Sequence, residues 1–120
     1  MTYEPRTLQK GAYYEKIASV YLEQYMGYDI LELNFKCRFG EIDIIAKDED
    51  TLVFVEVKYR ENDKHGMPEE FCDIKKQKKI LQTARVFMLK SHSGFDIPVR
   101  FDVVSILGDK IKVIKNAFSE

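Results

Sequence analysis

The chain has 120 residues, 45% hydrophobic and 32% charged, which fits one soluble globular domain large enough to bury a core without staples. Its formal net charge of -1 excludes nucleic-acid attraction through overall charge, so affinity for phosphate must come from a local patch. The opening MTYEPRTLQK lacks the apolar run of a signal peptide, and no segment approaches the ~18 apolar residues needed to cross a bilayer, so a cytoplasmic protein is expected.

In chain order, the spacing of Tyr14, Ala18, Tyr21, Leu22 and Tyr25 predicts a helix over Lys10 to Met26, stopped by Gly27. Alternation in YDILELNF predicts a strand over Tyr28 to Phe35. A second strand is expected over Glu41 to Lys47 and a third over Thr51 to Tyr59, with the polar DED between them as a hairpin turn. The polar stretch RENDKHGMPEE is a loop. Asp73 is the expected N-cap of a second helix reaching Lys90, with Leu81, Ala84, Phe87 and Met88 as its apolar stripe. SHSGFDIP breaks the chain. VRFDVVSIL then forms a fourth long strand, and KIKVIK returns as a short fifth. The order α-β-β-β-α-β-β predicts an α/β fold, a mixed central sheet flanked by helices.

Asp43, Glu56 and Lys58 sit inside apolar strand runs, where ionised side chains are costly. Alternation puts Glu56 and Lys58 on the face of Leu52 and Phe54. A turn centred between Glu49 and Asp50 pairs residues whose numbers sum to 99 and sets Asp43 opposite Glu56. Opposed Cβ atoms lie ~5 Å apart, so the two carboxylates repel and call for a positive partner. Lys58 is one candidate, although one ammonium neutralises one carboxylate. A divalent cation is the other, since Mg²⁺ accepts hard oxygen ligands and keeps several waters. The bland alternative is a structural ion network. Glu15 lies beside the buried stripe of the first helix, and Gln77 extends that of the second.

The two cysteines, Cys37 and Cys72, form no CxxC pattern and read as reduced thiols rather than a metal or redox pair. His65 and His92 fall in loops and read as solvated histidines. The tyrosines of the first helix offer stacking surfaces for bases, but their spacing favours core packing.

Asp43, then twelve intervening residues, then Glu56-Val57-Lys58 resembles the PD-(D/E)xK nuclease motif. More closely, GEIDIIA, LVFVEVKYR, RFDVV, the helix-strand opening and KKQKKILQTARVFM resemble the YraN family of predicted endonucleases, relatives of archaeal-type Holliday-junction resolvases. The resemblance covers almost the whole chain. It implies a restriction-endonuclease-like core and Mg²⁺ (or Mn²⁺) bound by Asp43, Glu56 and the Val57 carbonyl. It also implies Lys58 as the catalytic lysine, with Glu15 and Gln77 as the family's helix-borne glutamate and glutamine. The reaction implied is phosphodiester hydrolysis leaving a 5′-phosphate, on structured or branched DNA in repair or recombination. The family commonly has Gly before that glutamate, where this chain has Tyr14.

Nucleic-acid backbone contact is expected from Lys75, Lys76, Lys78 and Lys79, which flank Gln77, and from Arg60 and Lys64 beside Lys58. Lys75 and Lys79 repel at i,i+4, and a phosphate backbone nearby reverses that cost. No base-reading motif is present, so recognition of shape is expected. A module that binds nucleic acid without turnover is the alternative, and a homodimer is compatible with either, because one chain holds one site.

Overall fold

A computed structural model describes residues 7–62, 73–91 and 96–118 of the chain. Lys64, His65, Cys72 and His92 lie outside the described residues. The elements are α1 (Thr7–Tyr25), β1 (Asp29–Cys37), β2 (Gly40–Asp48), β3 (Thr51–Arg60), α2 (Ile74–Lys90), β4 (Val99–Leu107) and β5 (Lys110–Phe118). The order is the expected one, and the mixed α/β arrangement is consistent with a restriction-endonuclease-like core. Among the described residues no helix is long and apolar enough to cross a membrane.

The strands form one sheet in the order β1-β2-β3-β4-β5. Neighbours are antiparallel except β3 and β4, which run parallel from Leu52↔Val99 to Arg60↔Leu107 and are joined through α2. The central strands β3 and β4 carry nearly unbroken buried runs, as a sheet covered on both faces requires. Ala18 and Leu22 of α1 pack on Ile44, Ala46, Val53, Val55 and Val104. On the opposite face, Ile80, Ala84 and Met88 of α2 pack on Ile45, Leu52, Phe54 and Phe101.

Gly27 ends α1 because its φ of 73° lies in the left-handed region that costs other residues energy. The Tyr28 N–H then bonds back to the Leu22 carbonyl at 3.0 Å. Asp73 caps α2 as expected, its carboxylate accepting from the Lys76 N–H at 2.9 Å.

Three expectations change. Tyr25, expected in the apolar stripe of α1, is 75% exposed and rests beside Tyr21. The stripe of α2 is centred on Ile80, Thr83, Ala84 and Met88, leaving Leu81 and Phe87 half-buried at its border. The fifth strand is not short. It runs nine residues, because a register shift between Phe101 and Val103 lets Phe118 pair with Phe101, and their rings stack at 5.2 Å.

A buried polar clasp joins three parts of the chain. Asp102, fully buried, accepts from Arg100 Nε (2.8 Å), the Tyr28 hydroxyl (2.9 Å) and the Asn116 N–H (3.0 Å). Arg100 continues to the Tyr28 hydroxyl at 2.6 Å and to Asp48 at 3.0 Å. The hairpin turn, the end of α1 and the β5 edge are thereby tied together.

Candidate active site

The β2–β3 hairpin has the register expected from its turn. Pairs run from Asp48↔Thr51 to Ile44↔Val55, each summing to 99. The next step differs. Instead of a ladder pair between Asp43 and Glu56, the Asp43 carboxylate accepts the Val57 N–H at 2.8 Å. A side chain replaces the backbone partner, and the strands part where the acids sit.

The sequence around Asp43 makes that possible. Ile42 packs in the α2-side cluster and Ile44 in the α1-side cluster, although residues two apart on a regular strand share a face. The alternation therefore slips at Asp43. Opposite it on β1, Leu33↔Ile44 and Phe35↔Ile42 are paired while Asn34, between them, has a left-handed φ of 56°. Asn tolerates that conformation better than most residues. With its amide turned nitrogen-first, Asn34 donates to both Glu15 oxygens at 2.7 and 2.9 Å.

The result is an open pocket of about 320 Å³ between the start of α1, the splayed hairpin and the first turn of α2. Glu15, Asp43, Glu56, Val57, Lys58 and Arg60, all singled out from sequence, line it. So do Lys76, expected from sequence to contact a phosphate backbone, and Glu41, which was not singled out. Glu56 is buried and Lys58 nearly so, with Nζ 3.6 Å from Glu56 Oε1. Lys76 comes closer, with Nζ 2.7 Å from the same oxygen. The positive partner demanded by the facing acids is thus a pair of lysines, one of them from α2. Arg60 donates back to the Tyr59 carbonyl at 2.8 Å.

Gln77 stands half-buried on α2, one residue beyond Lys76, and is not among the residues lining the pocket. Lys75, Lys78 and Lys79 are exposed on the same turns. The ring of Tyr14, at the position where the resembled family has Gly, stacks on Tyr59 with centroids 4.2 Å apart and leaves Glu15 in the pocket.

The electrostatics follow from crowding carboxylates in a partly dry pocket. Burial, then the Glu56 charge, push the Asp43 carboxyl up to about 8 against the opposing Val57 hydrogen bond. Burial, then Glu41 and Glu56, push Glu15 up to about 7, with Lys36 opposing. Burial works against the Lys76 charge, but the hydrogen bonds to Glu56 and Lys58 and the charges of Glu56 and Asp43 together outweigh it and hold the ammonium above its ordinary range. Asp43 and Glu15 are thus destabilised as anions and would gain from a stronger cation.

The donor set fits a hard divalent ion. Four carboxylates line one pocket, and oxygen donors suit Mg²⁺ or Mn²⁺. Among the described residues no three acidic, His or Cys side chains gather closely enough to hold an ion alone.

Sequence reasoning missed two participants and gave a third another role. Asn34 fills the polar slot between Leu33 and Phe35, so the alternation of YDILELNF does not flag it. Glu41 stands near the start of β2, two residues before Asp43. Lys76, expected among the lysines that contact a phosphate backbone, reaches Glu56 instead.

The pattern of the uncharacterised protein family UPF0102, the YraN family that the motifs resemble, matches residues 14–106. A UPF0102 protein of Persephonella marina is 49% identical over 112 residues, covering 91% of this chain and 92% of the relative. One from Lachnoclostridium phytofermentans is 48% identical over 109 residues, with 91% and 92% covered. One from Syntrophus aciditrophicus is 45% identical over 117 residues, with 94% and 91% covered.

Proposed function

The chain belongs to the uncharacterised protein family UPF0102, and on that footing we propose that it is a metal-dependent endonuclease hydrolysing phosphodiester bonds of structured or branched DNA. The observation that carries the reading is the meeting of Asp43, Glu56 and Lys58 in one open pocket, with Asp43 buried at the cost of a strongly raised pKa. A fold that needed only stability has no use for a buried carboxylate facing another.

Asp43, Glu56 and the Val57 carbonyl would hold Mg²⁺ or Mn²⁺. When bound, such an ion supplies Lewis-acid polarisation of the scissile phosphate and a more acidic water. Lys58, with Nζ 3.6 Å from Glu56 Oε1, would stand beside the reacting phosphate, and its main role would be to offset the negative charge that develops there. Glu15, held by Asn34, orients water at the pocket mouth. Gln77 belongs to the α2 surface that faces the substrate.

The lysines at the start of α2 support a polyanionic substrate. No acidic residue stands in its first turn, and Lys75, Lys76, Lys78 and Lys79 crowd its positive pole. A cation in that first turn, such as Lys75, costs the helix roughly 0.3–1 kcal/mol, an effect that fades by Lys78 and Lys79. Phosphates converging on that pole, with Arg60 beside it, reverse the sign of the cost.

The test offers branched, flapped, single-stranded and duplex DNA to the purified protein with Mg²⁺ or Mn²⁺, beside Asp43→Ala, Glu56→Ala and Lys58→Ala. Cutting of at least one structure is expected. Each substitution should lower the rate by about 100-fold or more, the size of effect seen when one group that stabilises transition-state charge is removed. Cutting that survives all three changes would remove this pocket from the reaction. Binding without cutting by the wild-type protein would instead identify a nucleic-acid-binding module.

A further inference from the structure

Lys76 is held in the site by two independent devices. Its backbone N–H is fixed by the Asp73 cap at 2.9 Å, so the residue sits at the third position of α2. Its side chain crosses from the helix to β3 and closes on Glu56 Oε1 at 2.7 Å. Lys58 meets the same oxygen from its own strand at the looser distance of 3.6 Å. The Lys58 side chain is 12% exposed and walled in, whereas that of Lys76 is 42% exposed and open to solvent on one side.

We propose that Lys76 is an internal cation that competes with the divalent ion for Glu56, so that metal loading requires Lys76 to leave. The inference rests on the metal-binding reading of this pocket. An ion bonded to Glu56 Oε1 at ~2.1 Å would lie no more than about 5 Å from an ammonium at its observed distance from that oxygen. Two cations at that separation in a partly dry pocket repel strongly. Of the two lysines, Lys76 has the exit. Its stem can swing outward to join Lys75, Lys78 and Lys79 at the head of α2, where the proposed substrate's phosphates gather. An arriving polyanion would thus draw Lys76 off Glu56 and favour metal entry. By linkage, bound metal would favour the polyanion.

The test titrates Mn²⁺ into the full chain without nucleic acid, by calorimetry, for wild type, Lys76→Met, Lys75→Met and Glu56→Gln. Lys76→Met keeps the apolar stem and removes the charge. It should bind Mn²⁺ about tenfold more tightly, as expected on losing a partly buried charge-assisted competitor. Lys75→Met, on the same turn but exposed, should change affinity by less than about twofold, which measures the general field of the helix pole. A second readout uses wild-type protein: the rate at which reductive methylation labels Lys76 should rise when Mn²⁺ is added, while the rate at Lys75 does not. Equal Mn²⁺ affinity for wild type and Lys76→Met, or labelling of Lys76 indifferent to Mn²⁺, overturns the competition and leaves the metal site standing. Absence of Mn²⁺ binding in both proteins overturns the metal reading itself, and the competition with it.

Discussion

Replacing Asp43 by Asn should make the metal-free protein more stable at pH 8 and, on the proposed reading, unable to cleave. The Asn amide is close to the carboxylate in shape, and its oxygen can still accept the Val57 N–H that Asp43 holds at 2.8 Å. What the substitution removes is the charge. The Asp43 carboxyl is pushed from 3.8 up to about 8 by burial and then by Glu56. The folded protein therefore keeps a proton that the unfolded chain releases, and through that interval each rise in pH favours unfolding. Glu15, raised to about 7 and half-open to water, adds a smaller contribution of the same sign.

Melting temperature in EDTA should fall from pH 6 to pH 8.5 for the wild type and much less for Asp43→Asn. At pH 8 the variant should gain about 1–3 kcal/mol, which for a chain of this size is roughly 4 °C per kcal/mol. Added Mn²⁺ should raise the melting temperature of the wild type and not of the variant. A variant less stable than wild type at every pH would mean that Asp43 supports the fold as an anion, and the functional weight placed on its burial would be lost.

Much of this site was legible because charges in the wrong place are loud. Asp43, Glu56 and Lys58 interrupt apolar strands, and the two-residue turn at Glu49-Asp50 set a register that the hairpin keeps for five pairs. The slip at Asp43 was not legible, because GEIDIIA reads equally well as regular alternation. Its cause lies partly on another strand, in the left-handed Asn34, and cross-strand effects of this kind leave no local period. The docking of α2 was hidden for a related reason. Helical spacing says which face of a helix is apolar, but not where its first turn lands on a sheet. The reach of Lys76 to Glu56 depends on that landing and on the Asp73 cap. The length of β5 likewise depends on a bulge opposite Asp102, beyond what KIKVIK alone can announce.

Asp102→Ala should be the most destabilising single change in the molecule, costing about 3–5 kcal/mol, the range for breaking a buried ion pair by removing one partner. Asp102 is wholly buried and accepts from four directions: both Arg100 contacts at 2.8 and 3.0 Å, the Tyr28 hydroxyl, and the Asn116 N–H. Alanine leaves the Asn116 N–H without its acceptor and the buried Tyr28 hydroxyl without its own. Arg100 keeps Asp48, the Tyr28 hydroxyl at 2.6 Å and its contact with the Tyr28 ring, 5.7 Å from the centroid. Asp102→Asn retains an acceptor of the right shape and should lose clearly less. Because total stabilities of domains run about 5–15 kcal/mol, the alanine variant should show a much lower denaturant midpoint with an unchanged slope. Hydrogen exchange should quicken first at residues 116–118, where β5 depends on the clasp. None of Tyr28, Asp48, Arg100 and Asp102 lines the Glu15–Asp43–Glu56 pocket, so Mn²⁺ affinity per folded molecule should be unchanged. A loss below about 1 kcal/mol would show the clasp to be no stronger than a surface ion pair. A selective loss of Mn²⁺ binding with stability intact would instead make it part of the site.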